Sequence, residues 1–231
     1  MREVAEILKN ARKEGRNNLL EPEAKIVCQE YDISVTEFRV ARTEEEAITY
    51  GNEIGFPVVL KIVSPDIVHK SDVGGVLVNL KAPNEIEKAY KAILANVKKH
   101  EPEAAILGML VQEMAPPSTE VIVGAIRDNQ FGPTLMFGLG GILVEILKDV
   151  TFRIAPVTRQ EAESMISETK AYPVLRGHRN RPLLDTDAIA RIIANTSKLV
   201  VEHEEISELD LNPVMVYEKG AKTVDARIIL E

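Results

Sequence analysis

The chain contains no tryptophan, and only ten of its 231 residues are phenylalanine or tyrosine, five of each. Proteins that read single-stranded nucleic acid stack bases on aromatic faces, and this composition leaves few such faces. The formal net charge of −8 also argues against general nucleic-acid binding, which draws its affinity from a surplus of Lys and Arg. A single cysteine, Cys28, excludes an internal disulfide and fits a reducing compartment. It falls on the apolar side of a predicted helix and reads as a small core residue. No apolar run approaches the roughly 20 residues of a membrane span. The start, MREVAEILKNARKEG, is too charged for a signal peptide. The expectation is a cytoplasmic protein with neither nucleic acid nor membrane as partner. No G-x-G-x-x-G follows an early strand, and Gly138–Gly141 lacks the Lys-Ser/Thr that would complete a P-loop. Repeats, low-complexity segments and long linkers are missing too.

What remains is an ordinary globular composition, 45% hydrophobic and 28% charged, long enough to bury a substantial core. Apolar spacing predicts an N-terminal amphipathic helix on Val4, Ile7, Leu8 and Ala11, ended by Gly15. A second helix starts at Pro22, and Val35–Ala41 reads as a strand. Thr43–Glu46 matches a capping box and opens a helix that Gly55 ends. Two strands follow across a loop, then a helix from Pro83-Asn84 and a strand over Ala104–Glu113. In the second half, short strands are expected at Thr119–Ile126, Thr134–Phe137, Ile142–Leu147 and Thr151–Ala155. Helices near 159–169 and 186–203 come next, and a hairpin of Glu208–Tyr217 and Lys222–Leu230 closes the chain. The class is α+β: two mixed subdomains joined by a hinge around Gln112–Pro117.

The most informative stretch is VVLKIVSPDIVHKSDVGGVLV, residues 58–78. Lys61 interrupts an apolar strand, where an ammonium is expensive unless it meets an anion or reaches out to water. His69 and Lys70 follow in a loop that Gly74-Gly75 closes, and glycines let backbone N–H groups approach a phosphate. Neutral imidazole is a good nucleophile near neutral pH. Cations, bare amides and a nucleophile on one strand–loop–strand unit suggest phosphoryl chemistry. The bland alternatives are a snorkelling lysine and a surface histidine.

The closing hairpin is the second constellation. Strand alternation puts Asp210 and Asn212 on one face of Glu208–Pro213, with Leu209 and Leu211 opposite. The partner strand carries Asp225 and Arg227 on one face. If these polar faces coincide, hard oxygen donors converge as they do around Mg²⁺; the competing reading is a solvent-facing hairpin with an Asp225–Arg227 pair. At the hinge, Gln112-Glu113-Met114 ends a strand whose edge can meet an adenine, with Glu113 or Glu120 within reach of a ribose.

Four segments together resemble a family: FPVVLKIVSPDIVHKSDVGGV (56–76), TEVIVGAIRDNQFGPTLMFGLGGILVEILKDVTFRIAP (119–156), ELDLNPVMV (208–216) and VDARI (224–228). They resemble the β subunit of the ADP-forming acyl-CoA (acetate–CoA) synthetases, in the succinyl-CoA synthetase superfamily. The resemblance implies an ATP-grasp fold, two α+β subdomains clasping ATP or ADP. The division it implies is an N-terminal helix (1–20) and subdomains over 21–112 and 113–231. Lys61, with Lys70, Gly74 and Gly75, would face the nucleotide phosphates, and Glu113, Met114 and Glu120 would border its adenosine. Asn212 and Asp225 match Mg²⁺ ligands, and Asp210 stands where related subunits carry a glutamate, in a catalytic carboxylate role. His69 matches a histidine that takes a phosphoryl group from a phosphohistidine on a partner α subunit and passes it to ADP. The implied enzyme is an acid–thiol ligase, active only with that α subunit in a heterotetramer. The α subunit would carry the CoA-binding domain this chain lacks and would set acyl selectivity. Rival readings are a self-sufficient ATP-grasp carboxylate–amine ligase, which needs no histidine intermediate, and a non-catalytic nucleotide sensor.

Overall fold

In the computed structural model, residues 2–141, 149–170, 172–177 and 182–231 are described. The expected strand Ile142–Leu147 and His178 lie outside them. The chain forms two compact units: one of Met1–Leu19, Glu23–Val35 and Pro116–Glu231, the other of Leu20–Pro22 and Thr36–Ala115. The units interleave along the sequence, whereas the expected segments 1–20, 21–112 and 113–231 are consecutive. The boundary at Ala115/Pro116 falls inside the expected hinge segment.

The smaller unit is a four-stranded antiparallel sheet in the order β1 (Phe38–Ala41), β4 (Gly108–Glu113), β2 (Val58–Val63), β3 (Val76–Leu80). Helices α3 (Glu44–Ile54) and α4 (Pro83–His100) cover one face. Thr43 caps α3 by accepting from the Glu46 N–H, while the Glu46 carboxylate accepts from the Arg42 N–H at 2.6 Å. Proline in the first turn of α4 removes one N–H that the helix start would leave unpaired. The two helices approach closely at Gly51, where a Cβ would stand 2.3 Å from Ile86 Cδ1. The core packs Ile86, Ala89, Ile93 and Val97 of α4 against Leu60, Ile62, Met109 and Val111 of the sheet. The period of two therefore turns Val59, Lys61 and Val63 to the other face, where all three are buried as well.

The larger unit is a six-stranded antiparallel sheet, β10 (Ala226–Leu230), β8 (Ile206–Val216), β5 (Thr119–Asp128), β6 (Gly132–Leu139), β7 (Val150–Ile154), with β9 (Ala221–Thr223) also on β8. Its core joins α1 (Arg2–Lys13), the body of α2 (Glu21–Glu30), α5 (Arg159–Glu168), the one-turn α6 (Tyr172–Leu175) and α7 (Thr186–Glu202) to Val121, Val123, Leu135, Phe137, Leu209, Leu211 and Ile228. Asp185 caps α7, accepting from the Ala188 N–H at 2.9 Å and from the Gly220 N–H at 2.7 Å. Beyond β10 the chain itself continues the ladder: Leu19 N–H donates to the Ile228 carbonyl and Leu230 N–H to the Asn17 carbonyl.

The α+β expectation holds. Several boundaries differ, three of them for a reason visible in the structure. The first strand begins at Phe38, because Val35 forms only an isolated bridge to Thr223. β4 begins at Gly108, after the Glu101–Ala104 turn that follows α4. The second strand of the terminal hairpin is interrupted at Val224-Asp225, opposite Pro213, which has no N–H to donate. Among the described residues no helix is long and apolar enough to cross a membrane.

Candidate functional site

In the smaller unit, β2 presents Lys61 on the face turned away from α3 and α4. Its Nζ donates to Glu21 Oε1 at 2.6 Å. The Lys70 Nζ lies 3.1 Å from the other carboxylate oxygen, Glu21 Oε2. The side chain of Glu21 is 2% exposed, that of Lys61 6% and that of Lys70 17%. One buried carboxylate thus bridges both lysines singled out in the sequence, and the triad carries a surplus positive charge when all three groups are ionised. Removing one partner of a buried ion pair typically costs about 3–5 kcal/mol, because the other charge is left uncompensated. Glu21 was not among the candidates. A buried lysine demands a buried anion, but nothing local says which residue 40 positions away supplies it.

His69 is exposed in the loop between β2 and β3, next to Lys70. The loop is tied internally: Asp72 N–H donates to the His69 carbonyl, Gly74 N–H to Ser71 and Gly75 N–H to Lys70. This corrects the expectation of bare glycine amides, since the N–H groups of Gly74 and Gly75 are already used within the loop. Glycine is required there for space. A Cβ on Gly75 would stand 2.7 Å from Ile62 Cγ2, and one on Gly74 2.7 Å from Asn96 Nδ2. At the end of β4, Glu113 is half-buried, and its Oε1 accepts from the Glu37 N–H at 2.9 Å. Met114 N–H donates to the Pro57 carbonyl, so this strand edge is engaged within its own unit.

In the larger unit, Asp210 and Asn212 alternate with the buried Leu209 and Leu211, as strand periodicity requires. Asp210 lies opposite Arg227 across the β8–β10 ladder, and Asn212 N–H donates to the Asp225 carbonyl at 3.2 Å. Burial raises the Asp210 carboxyl above its ordinary range; the Arg227 guanidinium opposes this, the Asp225 charge adds to it, the Asn212 side chain opposes it and Glu208 adds to it. A cavity of about 320 Å³ opens on this sheet face, lined by Asp210, Asn212 and Arg227 together with apolar Ile122, Met136 and Phe152. The alternation of β5, β6 and β7 signals those apolar residues, but their neighbourhood to Asp210 follows only from the strand order. Glu120, at the start of β5, lines a second cavity with Gly140 and Gly141.

Among the described residues, no three His, Cys, Asp or Glu side chains gather closely enough to hold a metal ion by themselves. The oxygen donors here are Asp210 and Asn212 on β8, with Asp225 in the interval between β9 and β10, outside the lining of the Asp210 cavity. That set fits a hard cation which keeps waters and substrate phosphates in its shell, the habit of Mg²⁺ rather than of Zn²⁺.

The ATP-grasp domain model matches residues 10–230. The β subunit of the ADP-forming acetate–CoA ligase I of Pyrococcus furiosus is 52% identical over 225 residues, 97% of each chain. The chain belongs to this family of ATP-grasp β subunits. A solved family member, the dinucleotide forming acetyl-coenzyme A synthetase 1 of Ca. Korarchaeum cryptofilum, was crystallised with coenzyme A and Ca-AMPCP. It superposes with a TM-score of 0.95 at 56% identity, covering 98% of this chain and 99% of its own. The ADP-forming acetate–CoA ligase I of Archaeoglobus fulgidus is 49% identical over 99% of this chain, which corresponds to 33% of that longer protein. These relatives are CoA ligases, so the carboxylate–amine ligase reading is not favoured.

Proposed function

We propose that the chain is the nucleotide-binding subunit of an ADP-forming acyl-CoA synthetase, catalysing acyl-CoA + ADP + phosphate ⇌ carboxylic acid + CoA + ATP in the cytoplasm together with an α subunit. The observation that carries the mechanism is the exposed His69 beside Lys70, itself paired through Glu21 to Lys61. His69 attacks the phosphorus of a phosphohistidine on the α subunit; that P–N bond breaks as the bond to His69 forms. A terminal oxygen of ADP then displaces His69, giving ATP and the free imidazole. Lys61 and Lys70 neutralise the nucleotide phosphates, and Glu113, Met114 and Glu120 border the adenosine. Asn212 and Asp225 would hold Mg²⁺, with Asp210 positioning their shared face. When bound, Mg²⁺ supplies charge neutralisation at the phosphates, the main catalytic need of phosphoryl transfer. The longer Archaeoglobus protein fits an α partner that is covalently joined there, and a heterotetramer follows from two such pairs.

Labelling with γ-labelled ATP and Mg²⁺ in the presence of the α subunit tests the relay. Acid-labile, base-stable phosphate is expected on the wild-type chain and at background on His69→Ala. Label that persists on the variant, or none on the wild type, would sink it.

A further inference from the structure

The Glu21–Lys61–Lys70 triad carries more than the neutralisation of a buried lysine. A counter-ion for Lys61 alone needs one short contact, and Glu21 Oε1 provides it at 2.6 Å. Yet the second carboxylate oxygen is turned to Lys70, at 3.1 Å, and Lys70 belongs to the loop that carries His69. Glu21 therefore fixes the separation of two ammonium groups that otherwise repel one another and hang from flexible four-carbon stems. Its side chain is almost wholly buried, which limits its freedom. The two ion pairs are graded. The Lys61 pair is the tighter and more buried, and the Lys70 pair the longer and more accessible.

We propose that Glu21 is a positioning residue for phosphate recognition: its carboxylate braces Lys61 and Lys70 as a two-pronged cation that meets the phosphates of a nucleoside diphosphate. This rests on the nucleotide-binding reading above. Preorganised, charge-assisted contacts need no ordering when the ligand arrives, and releasing the brace removes that advantage from the phosphates alone.

Titration calorimetry of the full chain with ADP and, separately, with adenosine tests this. The ratio of the two affinities isolates what the phosphates contribute. Glu21→Gln is expected to weaken ADP binding by about tenfold or more, in line with losing charge-assisted contacts, while adenosine binding stays within about twofold. Glu21→Asp keeps the buried charge and so the fold, but its carboxylate is one methylene too short to span both lysines. It is expected to lower ADP affinity by an intermediate, roughly threefold factor and to leave adenosine alone. A purely structural Glu21 would lower both affinities together, and that result in either variant overturns the proposal. So does a folded Glu21→Asp chain that binds ADP as the wild type does. A wild-type chain that binds ADP no better than adenosine would instead remove the nucleotide reading itself, and the brace with it.

Discussion

Asp210 sits where its ionised form is disfavoured. Burial is the largest cause, the Asp225 charge adds to it, and the Arg227 guanidinium only partly offsets them. A carboxyl whose value is raised on folding holds its proton more tightly in the folded chain. Its contribution to stability is therefore present in acid, below the ordinary carboxylate range, and is lost as pH rises through the raised value. Asp210→Asn is expected to raise the melting temperature of the ligand-free chain at neutral pH. The gain should shrink as the pH falls through that raised value and be gone by about 4, where the unfolded carboxyl also binds its proton. Calorimetry across that range measures it, and a lower melting temperature at neutral pH would contradict the account. At this scale the sequence was readable where a residue's meaning is local. Strand alternation alone put Asp210 and Asn212 on one face. It was unreadable where a partner is distant: Lys61 announced the need for an anion, but Glu21 was identified only by the fold. The Gly74-Gly75 pair was recognised as special for the wrong reason, since steric contact with Asn96 and Ile62 looks the same in sequence as an open amide.

Among the elements, α7 has a start that links three pieces of the larger unit. Asp185 caps the helix through Ala188, receives the Gly220 N–H from the turn before β9, and its own N–H donates to the Tyr217 carbonyl. Burial works against its charge, but the two backbone donors outweigh it and hold the carboxyl below its usual value. Asp185 thus stabilises the chain above the ordinary carboxylate range, and that stabilisation fades as pH falls through its lowered value. Asp185→Ala is expected to cost about 1–2 kcal/mol in urea unfolding at neutral pH, with the gap to wild type narrowing in acid. An equal gap at both pH values would show that the carboxylate's charge plays no part. Helices were legible because caps and apolar spacing are local signals, and the expected 186–203 span lies within a residue of the observed one at either end. Strand limits were less so. Whether a residue such as Val35 joins a ladder depends on a partner strand that local spacing does not reveal.

For the whole molecule, a net charge of −8 coexists with two lysines gathered on one buried carboxylate, so bulk charge says nothing about the ligand's sign. The α+β class and the relationship to the CoA ligases were legible because several motifs occur together over the full length. The grouping of the first 35 residues was not. Apolar spacing shows that a helix needs a partner, but not which of two sheets provides it. The placement of Asn17–Leu19 beside β10 has a consequence of its own. That segment occupies the hydrogen-bonding positions at one margin of the larger sheet, leaving no room there for a strand from another molecule. Deleting residues 2–19 would bare those amides and carbonyls, an invitation to edge-to-edge self-association. Light scattering should then show particle size growing with concentration, while the intact chain stays constant. A truncated chain of fixed size would mean that something other than this segment guards the margin.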